Sequence, residues 1–163
     1  MYKIIDGKLV SQSVKDSVKA EVEVLKEKGV EVTLAVIIVG DDPASRVYVN
    51  NKKKACEYVG FKSLEYALPA DTTQDELMEL VTELNEREDV NGILCQLPLP
   101  KHLDEKAIIE AISYKKDVDA FHAVNVGKIM IGDYDFLPCT PAGVMEMLSY
   151  YDIDVTGKNC VVI

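Results

Sequence analysis

Four apolar positions at helical spacing, Val14, Val18, Val22 and Leu25, run through an otherwise polar stretch over residues 11–28, and Gly29 follows where a helix would end. A first helix is predicted there. The pattern then changes to a continuous apolar run over residues 32–39, rich in β-branched side chains, which predicts a strand covered on both faces. Gly40-Asp41-Asp42-Pro43 breaks it. Ser45 is placed to cap a second helix reaching Val59 and closed by Gly60, and residues 61–68 predict a more amphipathic second strand. Thr73-Gln74-Asp75-Glu76 has capping-box spacing, and Leu77, Leu80, Val81 and Leu84 give the third helix one buried face. A short apolar strand over residues 92–96 is stopped by Leu97-Pro98-Leu99-Pro100, since proline cannot continue a central ladder. A shorter fourth helix covers residues 104–112. Thr140-Pro141 reads as an N-cap followed by proline at the first helical position, predicting a helix over residues 141–150.

Strands alternating with helices at these intervals predict an α/β fold: a three-layer α/β/α arrangement around a mostly parallel sheet. After a turn at Thr156-Gly157-Lys158, residues 159–163 look like the opening of another buried strand, with no helix or partner strand after it. The expectation is a further domain begun and then cut away.

Composition narrows the function classes. The 163 residues are 48% hydrophobic and 28% charged, a balance that supports a packed core rather than a disordered chain. The net charge of −10 argues against a nucleic-acid partner, and Lys52-Lys53-Lys54 is too short a run to overturn that. Cys56, Cys95, Cys139 and Cys160 are scattered, with no CxxC pair and no histidine at ligand spacing. They predict reduced, mostly buried thiols and no metal site. The N-terminus lacks an apolar signal segment, and no run reaches membrane-spanning length, so a cytoplasmic protein is expected.

Three places offer chemistry. Tyr48 and Lys52 stand four apart on the second predicted helix and share one face. A solvated lysine cluster, a cation–π pair and a proton-transferring lysine all fit that spacing. Gln96 ends a strand expected to be central, where ligands of open parallel sheets sit, though a glutamine serving the turn before Pro98 fits as well. Lys116-Asp117-Val118-Asp119 offers two carboxylates that alternate in direction if extended, so that one could face inward; a surface turn is the plainer account. His102 and His122 have no nucleophile at a recognisable motif spacing, and the glycines form no phosphate-binding loop, so ordinary structural roles are expected for both histidines.

Taken together, Tyr48-Val49-Asn50-Asn51-Lys52, Gly92-Ile93-Leu94-Cys95-Gln96-Leu97-Pro98-Leu99-Pro100 and Asp117-Val118-Asp119-Ala120-Phe121-His122 resemble, in order and spacing, the bifunctional methylenetetrahydrofolate dehydrogenase/methenyltetrahydrofolate cyclohydrolase family. They match its YxxxK, GxxxQxPLP and DVDG-type elements. Asn125-Val126-Gly127 and Pro138-Cys139-Thr140-Pro141-Ala142-Gly143 extend the likeness along the chain.

The resemblance implies oxidation of 5,10-methylenetetrahydrofolate with NADP or NAD and hydrolysis of the methenyl product to 10-formyltetrahydrofolate. It implies Lys52 as the acid/base group of hydrolysis, which needs a lysine able to lose its proton. Gln96 would orient that lysine, Tyr48 would pack against the folate, Leu97 would lie beside it, and Asp119 would accept hydrogen bonds from the pterin edge. It implies a folate-binding catalytic domain over residues 1–140, with residues 141–163 as a linking helix and first strand of a Rossmann domain that would hold most of the nicotinamide cofactor. A homodimer is expected of the intact protein. Two departures stand inside the motifs: Ala120 where the family usually has glycine, and Ala123 where it usually has proline. A positive φ at position 120 would cost an alanine about 1 kcal/mol or more. The competing reading is a non-catalytic folate-binding module.

Overall fold

The computed structural model describes residues 4–161. In chain order the elements are α1 (Gly7–Glu27), β1 (Thr33–Val39), α2 (Pro43–Val59), β2 (Lys62–Leu68), α3 (Gln74–Glu86), β3 (Gly92–Cys95), α4 (Glu105–Ala111), α5 (Ala123–Ile131) and α6 (Cys139–Tyr150). The three strands form a parallel sheet in the order β2-β1-β3.

Sheet and helices make three layers. Ala35, Ile37, Val39, Ile93 and Cys95 meet Leu77, Val81 and Leu84 of α3 and Ile108 of α4 in the larger core. The alternate residues Val36, Ile38 and Leu94 face the other way, onto Val49 of α2 and the half-buried Val118. This period-two division explains why β1 reads as an unbroken apolar run: both of its faces are covered.

Several predicted boundaries move. The first helix begins at Gly7, because Asp6 accepts from the backbone N–H groups of Lys8 and Leu9 and supplies the cap. Its stripe is only partly covered, with Val22 buried and Val14 exposed, since α1 packs chiefly on α2 and α6. Ser45 is not a cap. Asp42 caps α2 by accepting from Ser45 N–H at 2.7 Å, with Pro43 at the first helical position. Thr140 does not cap either, because α6 starts at Cys139 and has no side-chain cap. The capping box at Thr73 and Glu76 is present as expected.

β3 is not central. Among the described residues β1 occupies the middle, and β3 lies at the end of the strand order, continued by a parallel bridge between Ile93 and Asp117. Gly92 makes that approach possible, since a Cβ there would lie 2.6 Å from Val118 Cγ1. The segment after α4 is tied down further by Lys116. Its ammonium donates to the carbonyls of Leu84, Asn85 and Arg87, supplying cationic capping to the end of α3, whose last turn has no basic residue of its own.

The helix α5 is absent from the sequence expectation. Residues 159–161 carry no strand, and the last two positions of that expected strand lie outside the described residues. All four cysteines are free; Cys56 and Cys95 are buried as expected, whereas Cys139 and Cys160 are exposed.

Candidate functional site

Alternation carries Gln96 to the α2 side of the sheet, two residues beyond Leu94 at the carboxyl end of β3. Its backbone stays in the ladder, with Gln96 N–H donating to Ile37 O at 2.8 Å. The side-chain Nε2 donates to the carbonyl of Leu97 at 2.7 Å, which fixes the amide so that Oε1 is turned to α2. There it accepts from Lys52 Nζ at 2.9 Å.

Lys52 is half-buried while Lys53 and Lys54 are exposed, so the three-lysine run is not one uniform solvated face. Tyr48, one turn earlier, is 61% exposed. It makes no cation–π pair with Lys52 among the described residues; those contacts involve Tyr58 and Tyr114. Leu97 is half-buried against the larger core.

Asp119 is also half-buried. Burial raises its pKa above the ordinary carboxylate value, the charge of Lys52 pulls it back, and the charge of Asp117 pushes it up further. The Lys52 ammonium and the two carboxylates therefore share one electrostatic neighbourhood. Cys95, on the opposite face of β3 from Gln96, has its thiol pushed up to about 12, chiefly by burial and then by the charges of Glu105 and Asp119. It is an inert thiol at neutral pH.

The segment carrying Asp119 is not the surface turn that its composition permits. Asp117 is 4% exposed, and Ala120 is completely buried with φ +56°. The backbone adopts the left-handed conformation at this alanine. Both histidines take structural roles: His102 pairs with the carbonyl of Thr72, and His122 Nδ1 accepts from Val124 N–H to cap α5. Sequence reasoning noted Asn125 only within a family-like stretch and gave it no role in this region. It is 2% exposed and donates to Asp117 Oδ2 at 2.9 Å. A buried amide eight residues after a carboxylate carries no spacing signal that would have found it.

A cavity lies elsewhere. It occupies about 910 Å³ between α1 and α6, lined by groups such as Val10, Val14, Leu137 and Met147, and contains none of the candidate residues. Hydrogen bonding and charge converge instead around Lys52, Gln96 and Asp119, and volume alone does not make a site.

A doubly wound α/β domain with a hydrogen-bonded lysine and amide at the carboxyl end of a parallel strand has its polar groups where open parallel sheets bind ligands. The family model for the tetrahydrofolate dehydrogenase/cyclohydrolase catalytic domain matches residues 5–119. The chain belongs to that family. It is 61% identical to the bifunctional protein FolD of Acetivibrio thermocellus over 161 residues, covering 99% of this chain and 56% of that protein. Against the FolD protein of Agathobacter rectalis it is 59% identical, covering 58% of the relative's length.

Among solved structures, the bifunctional FolD enzyme of Campylobacter jejuni superposes with a TM-score of 0.91 at 50% identity, over 94% of this chain and 55% of that one. The Trypanosoma brucei methylenetetrahydrofolate dehydrogenase-cyclohydrolase, solved with NADP and an inhibitor, gives 0.90 at 36% identity, over 95% and 54%. The chain thus spans about half the length of the curated relatives it matches. The resemblance read from the motifs is the family found.

Proposed function

We propose that this chain is the folate-binding catalytic part of an enzyme that oxidises 5,10-methylenetetrahydrofolate and hydrolyses 5,10-methenyltetrahydrofolate to 10-formyltetrahydrofolate. The observation that carries the reading is the Lys52–Gln96 hydrogen bond, a lysine held by an amide whose own orientation is fixed. In hydrolysis, neutral Lys52 takes a proton from water as it adds to the methenyl carbon. A proton is delivered to N5 as the carbon–N5 bond breaks, leaving the formyl group on N10 and one proton released overall. Gln96 aims Lys52 throughout. Tyr48 offers its exposed ring to the folate, Leu97 an apolar edge beside Gln96, and Asp119 a carboxylate for the pterin's paired N–H donors.

The described residues do not fit a nicotinamide dinucleotide. The one glycine-containing turn from a strand to a long helix, Gly40-Asp41-Asp42-Pro43, puts carboxylates at the start of α2, where Asp42 already accepts from Ser45. Bound NADP or NAD supplies the hydride acceptor of the oxidation, and we place its site in the further length that the relatives possess. On this reading residues 1–140 are the catalytic domain and residues 141–163 the link and first strand toward the cofactor domain. A cytoplasmic homodimer completes it, supported by the family alone.

Lys52→Met tests the assignment: hydrolysis of methenyltetrahydrofolate should fall by about 10²- to 10⁴-fold. Unchanged hydrolysis would remove Lys52 from the role. The shared half-length alignment favours one alternative, a module that binds folate without turning it over. Calorimetric titration beside a hydrolysis assay on this chain separates the two, because turnover excludes the module.

A further inference from the structure

Asp117 is the buried carboxylate that the mechanism leaves unused. Its Oδ2 accepts from the backbone N–H of His122 at 2.8 Å and from Asn125 Nδ2 at 2.9 Å. Asn125 Nδ2 also donates to the carbonyl of Tyr114 at 2.9 Å, so the amide ties both ends of the segment to its middle. The backbone of Asp117 is anchored too: Ile93 N–H donates to Lys116 O at 2.7 Å, and Ala120 N–H donates to Asp117 O at 3.2 Å.

Asp119 is therefore held in a four-residue turn whose first residue is fixed to β3 and whose last sits at positive φ. No ion pair to Asp117 occurs among the described residues. A buried carboxylate met only by neutral donors is an expensive way to close a turn. Its donors gain by it, since hydrogen bonds to a charged acceptor are stronger than neutral ones. That strength is directed at holding a strained backbone in place next to Asp119.

We infer that Asp117 is a positioning residue for the pterin-binding carboxylate: with Asn125 it clamps the turn that presents Asp119. The inference rests on the folate reading above. It places part of the site's geometry in a residue pair that touches no substrate.

The test is a double-mutant cycle read by calorimetric titration with tetrahydrofolate. In the wild-type background Asp117→Ala should weaken binding about tenfold, the scale set by loss of charged hydrogen bonds. Asp117→Asn, whose amide oxygen can still accept from both donors, should stay within about threefold. In the Asp119→Ala background Asp117→Ala should cost almost nothing further, because its effect passes through Asp119. If Asp117→Ala shows no cooperative thermal transition, the same cycle run with Asn125→Ala decides the matter, with a smaller loss expected in the same direction. Wild-type affinity in the clamp variant, or an equal loss in both backgrounds, overturns the inference alone. A wild-type chain that fails to bind tetrahydrofolate removes the folate reading, and the inference with it.

Discussion

The two faces of the sheet are built differently. On one, α3 and α4 seal β1 and β3 beneath a continuous layer of leucine, isoleucine and valine. On the other, α2 covers the middle of the strands through a few residues around Val49, and the carboxyl end is left to Lys52, Gln96 and Asp119. The division puts most of the apolar burial on the side without chemistry and the polar groups where a second layer is thin.

The comparison can be broken by exchanging its expected effects. Lys52→Met should reduce hydrolysis by the orders of magnitude given above while the thermal midpoint hardly moves; a large loss of stability would mean that the site face also carries the fold. Leu77→Ala, on the sealed face, should cost about 2–5 kcal/mol in urea unfolding, with folate affinity retained in the fraction that remains folded.

Acid should act on the site face first. On the folate reading proposed above, Asp119 accepts the pterin's donors as a carboxylate, and its raised pKa means that the ionised form is lost at a higher pH than for an exposed aspartate. Tetrahydrofolate affinity should therefore fall as pH drops through that raised value, and Asp119→Asn should flatten the profile in calorimetric titrations between about pH 8 and pH 4. Stability runs the other way for this group. A folded-state pKa above the unfolded one is a penalty present near neutrality, and it is relieved as pH falls through the folded value.

The smallest expected effect compares two alanines. Ala20→Gly, in the exposed middle of α1, should cost about 1 kcal/mol by thermal melting. Ala120→Gly should change stability by less than about 1 kcal/mol, since relief at φ +56° offsets the glycine's entropy and the lost methyl. Equal costs at the two positions would mean that the turn at Ala120 is unstrained.

Periodic features were legible in the sequence. β1 announced its two covered faces, α3 its capping box and stripe, and Gln96 its place at the end of a strand. What escaped depends on contacts between distant segments. α5 buries the polar Asn125 while its apolar residues lie toward solvent, has Gly127 in its interior and is capped by a histidine, so neither period nor cap marked it. The place of β3 beside β1 and against the Asp117 segment follows from the crossover order, which local pattern does not contain. Composition offered Asp117 and Asp119 as equals. The bridge to Ile93 and the amide of Asn125 make one a buried anchor and leave the other half-open.

The ammonium of Lys116, seated on three carbonyls at the end of α3, does two jobs with one charge. It supplies donors to carbonyls that a helix end leaves without partners, and it fixes to that helix the residue immediately before the turn that carries Asp119. The end of α3 is thereby the floor on which that turn stands.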